Sequence, residues 1–374
     1  SLFILLDPFT FTALTRHPNS METTLICLPI VRKMSKDPLN KEKLLPYLAK
    51  NIEGFSHLKN VKKFSIGQSN PTFLLETDAA SYVIRRKPDG PLLKSAHAID
   101  REYRVQKALY DTPVPVAKML HYCDDQSILG VDFYIMEFVN GVVYEDPALP
   151  GLAMNDRAKV YSEINRGLSS LHEVNIDAVG LTDFGADGNY YERQISRWAK
   201  QYLSSETEKI SEMSEMMVEL PKRIPMDNSP RSLVHGDFRL DNMIFDKNEP
   251  KLLAIIDWEI CTTGHPIADL ASLIMQWEQT AGKISRGLQG VEREPLGIPS
   301  DEGFIKEYCE LRNIDYIKDF NFYLAFCFFR MACVIQGVKK RALSGIAANP
   351  ERSNRETLSV PKLAKRAYEL MKAL

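Results

Sequence analysis

One stretch of the chain combines residue types and spacings that could do chemistry: His235-Gly236-Asp237-Phe238-Arg239-Leu240-Asp241-Asn242, followed by Ile256-Asp257-Trp258-Glu259. The residues between read as two strands, Asn242–Asp246 and Leu252–Trp258, joined by a turn through Asn248-Glu249-Pro250. Partners in an antiparallel hairpin have residue numbers of constant sum. A turn centred between Glu249 and Pro250 makes that sum 499 and sets Asn242 opposite Asp257. The open end of the hairpin then presents an amide oxygen and a carboxylate together, with Asp237 in the loop just before them. Two hard oxygen donors with room for water suit Mg²⁺. A second carboxylate beside them, that of Asp237, suits a base that takes a proton from a hydroxyl. These are the protein's parts in phosphoryl transfer from a nucleotide. The plainer alternative is a turn in which Asp and Asn cap backbone groups. The added requirement for Gly236 and for a following strand ending in Asp257 favours the chemical reading.

The elements that must position these residues fall into two groups. Asn40–Ile52 has helical spacing, with Pro46 inside it. Val61–Ile66, Thr72–Glu76 and Tyr82–Arg86 read as short strands, Ser95–Tyr110 as a helix, and Val116–Tyr122 and Phe133–Phe138 as two more strands. After the break at Asn140-Gly141 the chain turns helical, over Asn155–Glu173, Tyr190–Leu203, Glu206–Leu220, Pro266–Gln279, Asp301–Asn313, Asp319–Leu343 and Pro361–Leu374, with the hairpin as an inserted β island. The expected fold is α+β and two-lobed. Residues 1–33 read as an extension of unknown role, 34–139 as an N-terminal lobe with a small sheet and one helix, and 140–374 as a mainly helical C-terminal lobe.

Composition narrows the function classes. The chain has 374 residues, 44% apolar, with 47 basic and 49 acidic side chains and a net charge of −2. It is too apolar for disorder and lacks the basic excess of a general nucleic-acid binder. Its six cysteines form no Cys-x-x-Cys pair, which suits a reducing compartment, with the cytoplasm expected and a mitochondrial or peroxisomal destination left open. The most apolar run, Phe320–Ile335, contains Arg330. Its uncharged part falls short of the roughly 20 residues that span a bilayer, so a buried helix is expected and no transmembrane segment.

The catalytic segment resembles that of the aminoglycoside phosphotransferase and choline kinase group, distant relatives of protein kinases, from about Leu44 to beyond Arg341. A narrower resemblance is to the kinase-like domain of acyl-CoA dehydrogenase family members ten and eleven. It is carried by Gly67-Gln68-Ser69-Asn70-Pro71-Thr72, Arg85-Arg86-Lys87-Pro88, Ser95-Ala96-His97-Ala98, and Trp258-Glu259 with Gly264-His265-Pro266. The resemblance implies a two-lobed protein-kinase-like fold and an ATP- and Mg-dependent transfer to an alcohol. It assigns Asp237 as base, His235 as brace of the catalytic loop, Asn242 and Asp257 as magnesium ligands, and Asp269 as the helix-start residue fastening that loop. Asp269 could instead stabilise only its own helix.

On the nucleotide side the resemblance puts Gly67, Gln68, Ser69 and Asn70 at the phosphate-covering turn. Arg85 stands where kinases carry a phosphate-binding Lys; it departs from that residue but can grip phosphate bidentately. Lys87 shares its strand face. Glu102 is the implied partner of Arg85, although Arg101 or Lys107 could pair with it instead. Phe133–Gly141 matches the hinge, with Met136 lining the adenine pocket and the backbones of Glu137 and Val139 holding the adenine edge. The implied acceptor is a hydroxyacyl-CoA, with a functional link to an acyl-CoA dehydrogenase. A kinase for another small alcohol, such as an aminoglycoside, choline or a sugar, and a non-catalytic nucleotide-binding scaffold remain alternatives. ATP against GTP preference stays open. Ala281–Ser300 is a Gly-rich loop of the kind that often carries function, and Arg330, Lys339, Lys340 and Arg341 make a basic helix end.

Overall fold

The computed structural model describes residues 39–64, 70–90, 98–226, 230–281, 286–344 and 359–374. Residues 1–33, Gly67, Gln68, Ser69, Ser95, Ala96 and His97 lie outside them. The chain forms two compact units.

The first unit runs to Asp100 and resumes over Met119–Phe138. Its helix α1 (Lys41–Asn51) tolerates Pro46 internally. Strands β1 (Leu58–Lys63), β2 (Thr72–Thr77), β3 (Ser81–Arg86), β4 (Met119–Cys123) and β5 (Phe133–Glu137) form one antiparallel sheet in the order β1-β2-β3-β5-β4. The helix buries Leu44, Leu48 and Ile52 against Phe73, Leu75, Tyr82, Ile84, Phe133 and Ile135 of the sheet. These sheet residues alternate along their strands, as one-sided burial demands. A single helical turn, α3 (Gln126–Leu129), is capped by the Asp125 side chain. The first strand lies three residues earlier than its apolar pattern suggests, because β2 fixes its register through pairs such as Val61 with Leu75.

The second unit comprises Arg101–Lys118 and Val139–Leu374. It therefore holds most of helix α2 (Ile99–Leu109), which sequence order alone would group with the first lobe. The other helices are α4 (Met154–Glu173), α5 (Tyr190–Ser205), α6 (Ser211–Glu219), α7 (Ile267–Trp277), α8 (Asp301–Leu311), α9 (Phe320–Leu343) and α10 (Val360–Lys372). Two small antiparallel pairs lie among them, β6 (Ser232–Val234) with β9 (Thr262–Gly264), and β7 (Met243–Phe245) with β8 (Leu252–Ile255). Of α7, only Gln276 escapes full burial, so any polar group on that helix must find a partner inside the protein. Helix α9 is long and apolar enough to cross a membrane by length and composition, but 72% of its most apolar window is buried inside the protein. It packs on α5, α7 and α10 and is a core helix.

Candidate active site

The hairpin departs from the expected register. Met243 faces Ile255 and Ile244 faces Ala254, so the sum is 498, with an irregularity before Phe245 opposite Leu252. The turn causes the shift. The Asp246 carboxylate accepts hydrogen bonds from the amides of Asn248 (2.8 Å) and Glu249 (3.2 Å), pulling the bend toward the N-terminal side. Asn242 therefore lies in a 3₁₀ turn, Leu240–Asn242, rather than in the strand, and Ile256, not Asp257, is its neighbour. The Ile256 amide donates to the Asn242 carbonyl at 2.9 Å. Asp257 follows at once, with φ of +67°, a left-handed conformation that Asp tolerates better than most residues.

The same Ile256 anchors the histidine. His235 Nε2 donates to the Ile256 carbonyl at 3.1 Å, and its Nδ1 accepts from the Asp237 amide at 3.2 Å. Both bonds are satisfied by the neutral Nε2–H tautomer. The ring packs on Trp258, with centroids 4.6 Å apart. Between His235 and Asp237 in the chain, Gly236 has φ +85°, and a Cβ there would stand 3.0 Å from the Ile260 side chain. Only glycine satisfies both the dihedral and the contact.

Asn242 and Asp237 are locked together. The Asn242 side-chain nitrogen donates to the Asp237 backbone carbonyl at 2.9 Å and to Asp237 Oδ2 at 3.0 Å. With the nitrogen thus spent, the amide oxygen is the atom left for a cation. Burial pushes the Asp237 carboxyl up, but the Arg239 guanidinium and the Asn242 amide outweigh it and hold it below the usual carboxylate range. The donor set suits magnesium: Asn242 and Asp257 offer hard oxygens and no sulfur or imidazole competes at that point. Among the described residues no cluster of three or more His, Cys, Asp or Glu forms a ready metal cage.

Asp269, on the first turn of α7, is fully buried and serves the loop rather than only its own helix. Its Oδ2 accepts the His235 amide at 2.6 Å and its Oδ1 the Gly236 amide at 2.8 Å. On its other side His172 Nε2 lies 3.4 Å from Oδ2, and His172 Nδ1 is 2.7 Å from the Tyr308 hydroxyl. Burial would raise the Asp269 carboxyl, but the His172 hydrogen bond and the loop amides bring it below its ordinary value. Burial lowers His172.

The nucleotide-side residues are placed less completely. Asn70 is buried, and its carbonyl accepts the Thr72 hydroxyl at 3.0 Å. Arg85, on β3, reaches the Thr72 hydroxyl at 3.4 Å. Lys87, on the same face, is engaged by Asp132 at 2.5 Å. Glu102 is 1% exposed, on the α2 face formed by the buried Ile99, Val105 and Leu109. Glu102 belongs to the second unit and Arg85 to the first. Arg101 is committed elsewhere: it donates to the Phe184 carbonyl at 2.5 Å and covers that ring. Met136 and Glu137, at the end of β5, and Val139 are half-buried.

Four further residues surround the loop. Arg330 donates to Ser272 Oγ at 3.1 Å and reaches the Gly236 carbonyl at 3.4 Å. Its signal was visible as the one charge in the apolar stretch of α9, although it supports the loop rather than extending a basic patch. Lys339 and Lys340, by contrast, are taken up by Glu208 and the Ser204 carbonyl. Arg239, Asp241 and Arg286 form an ion network with Asp237. No spacing rule points to them, since charged residues in a loop are ordinarily solvated.

A family model described as the phosphotransferase enzyme family matches residues 60–302. The chain belongs to that family, and its fold is the two-lobed kinase-like one. It is 43% identical over 305 residues to mouse acyl-CoA dehydrogenase family member 10, covering 81% of this chain and 28% of that protein. It is 41% identical over 306 residues to mouse family member 11, covering 80% and 39%. The chain thus spans well under half the length of these curated relatives. A solved structure from Ralstonia eutropha, provisionally assigned as an aminoglycoside phosphotransferase, is 42% identical with a TM-score of 0.81, covering 89% of this chain and 98% of that one. A Plasmodium vivax ethanolamine kinase, 14% identical with a TM-score of 0.52 over 88% and 84%, shares the fold.

Proposed function

We propose that the chain transfers the γ-phosphoryl group of ATP, with Mg²⁺, to the hydroxyl of a hydroxyacyl-CoA. The carrying observation is the Asn242–Asp237 pair: one side chain holds the proposed base by its nitrogen and offers its oxygen to a cation. In the step, the acceptor oxygen bonds to the γ-phosphorus while the bond to the β,γ-bridging oxygen breaks. ADP keeps that electron pair, and the hydroxyl proton passes to the Asp237 carboxylate. Asp237 starts ionised because its pKa lies low, which suits a loose transition state in which the proton moves late. Asn242 and Asp257 would hold Mg²⁺, which would neutralise charge on the phosphates. His235 and Asp269 keep the loop in shape. Gly67–Asn70, Arg85, Glu102, Met136, Glu137 and Val139 are the proposed nucleotide-side residues.

The acyl-CoA acceptor is supported by the two acyl-CoA dehydrogenase relatives, in which a matching segment belongs to a much longer chain. A phosphorylated acyl hydroxyl is a good leaving group, so a functional link to such a dehydrogenase follows chemically. The Ralstonia eutropha structure favours a second reading, an aminoglycoside acceptor. The deciding experiment is a screen for ATP-dependent phosphorylation of hydroxyacyl-CoAs, free hydroxy acids, choline-like alcohols and aminoglycosides, read by mass spectrometry. Phosphorylation of a hydroxyacyl-CoA with the highest kcat/KM is expected. Preference for an aminoglycoside overturns the acceptor assignment, and no product together with no Mg-ATP-induced rise in Tm overturns the kinase reading.

A further inference from the structure

The four-member ion network runs from the catalytic base to a loop far along the chain. Arg239 Nε lies 3.2 Å from Asp237 Oδ2 and 3.3 Å from Asp241 Oδ1, yet makes an aligned hydrogen bond to neither. Its side chain is only 16% exposed, and Asp257 adds a third negative charge to its surroundings. Asp241 in turn is bound through Oδ2 by Arg286 Nη1. The order is therefore Arg286, Asp241, Arg239, Asp237, with charges alternating.

Arg286 is held from behind by a built segment. Its own φ is +56°, unusual for a residue with a side chain. Immediately after it, Gly287 passes so close to Gln279 that a Cβ would stand 1.8 Å from that carbonyl oxygen. The Leu288 amide donates to the Trp277 carbonyl at 2.9 Å, and the Gln289 amide to the Gln279 carbonyl at 3.0 Å. The segment is thus pinned to the end of α7, the helix whose start carries Asp269. One rigid helix fastens the catalytic loop at His235 and Gly236 by its first turn, and the segment anchored at its last turn reaches the same loop at Asp241.

We propose that Arg286 is a positioning residue for phosphoryl transfer. Acting through Asp241, it keeps Arg239 shared between two carboxylates, so that Asp237 is not closed off in a one-to-one ion pair. The physical reason is competition. A guanidinium with a single carboxylate neighbour forms a bidentate pair that occupies both oxygens. A catalytic carboxylate so occupied has both oxygens engaged by a cation and its basicity reduced, so it is a poorer acceptor of the hydroxyl proton. An Asp241 fixed by Arg286 draws the Arg239 charge away and leaves Asp237 open. This inference rests on Asp237 being the base, and on the kinase reading, for its catalytic consequence alone; the tether itself does not depend on either.

The experiment has two arms. The first compares steady-state kinetics of wild type, Arg286→Ala, Arg286→Lys, Asp241→Asn and the double variant Arg286→Ala/Asp241→Asn, using the acceptor found by the screen. Arg286→Ala is expected to lower kcat about tenfold or more with the ATP KM within about threefold, and Arg286→Lys to restore most of it. The double variant should lose no more than the worse single variant, because the two side chains act in series. A kcat of Arg286→Ala within about twofold of wild type, multiplicative losses in the double variant, or no rescue by Lys overturns the proposal. If Arg286→Ala does not fold, Arg286→Lys against Asp241→Asn carries the comparison. The second arm needs no acceptor: amide exchange over residues 239–242 should quicken about tenfold in Arg286→Ala, and unchanged exchange overturns the tether. A wild type that turns over no acceptor and shows no Mg-ATP-induced rise in Tm overturns the kinase reading, while the exchange arm still decides the tether.

Discussion

Asp269 accepts the backbone amide of His235 at 2.6 Å, joining the first turn of α7 to the strand-to-loop corner that carries the candidate catalytic segment. The carboxylate is fully buried, and its second oxygen takes the next amide, that of Gly236. Its charge is met by loop amides on one side and His172 on the other. Asp269→Ala leaves two buried amides without acceptors and should cost about 2–6 kcal/mol, about 1–3 for each unsatisfied group. Asp269→Asn keeps one acceptor and should cost less. Urea titrations of the two variants check the order; equal losses would remove the two-amide account.

Asp237→Asn should retain fold and nucleotide binding and lower kcat about 10²–10⁴-fold, since the side chain keeps its shape but no longer accepts a proton. Calorimetric titration with Mg-ADP beside the turnover assay separates the two effects. Turnover within a few-fold of wild type would sink the base assignment.

Asp257→Ala should weaken Mg-dependent nucleotide binding and leave metal-free nucleotide binding unchanged. Binding curves with and without Mg²⁺ measure the difference. An unaltered Mg²⁺ dependence would remove Asp257 from the metal site.

Gly236→Ala places a Cβ at a left-handed residue and against Ile260, and should cost about 1–3 kcal/mol. The double variant Gly236→Ala/Ile260→Val removes Cδ1, the nearer of the two crowding side-chain carbons, and should recover part of that loss, but not the dihedral cost. Thermal melts distinguish partial from full recovery.

Stability should fall on mild acidification. Burial lowers the folded-state pKa of His172 below its ordinary 6.5. Above that value both folded and unfolded chains carry it neutral, and it has no effect. Below it the unfolded chain binds a proton that the folded chain refuses, so unfolding gains up to about 1.4 kcal/mol per pH unit until the folded pKa is reached. His172→Gln should flatten the dependence of stability on pH between about 6.5 and 5. An identical slope in wild type and variant would assign it to other groups.

The sequence by itself determined most of the long helices and the strands of the first sheet, and it singled out the candidate catalytic segment; the short strands Ser232–Val234 and Thr262–Gly264 carry too little pattern to read. Apolar spacing and an Asp at a helix start are local properties, so the position of Asp269 was legible without coordinates, whereas its bonds to amides 34 and 33 residues away were not. The tertiary structure decided what depends on distant partners. Register is one case: the Asp246 side chain bends the turn by a residue, and Asn242 reaches the neighbourhood of Asp257 through Ile256 instead of pairing with it. The membership of α2 is another, because amphipathic spacing shows that a helix has a buried face but not which unit covers it. The ion network is the third. Arg286 and Asp241 stand 45 residues apart, and only the packing of the chain onto the end of α7 brings their charges together, in surroundings where their desolvation makes the pairing matter.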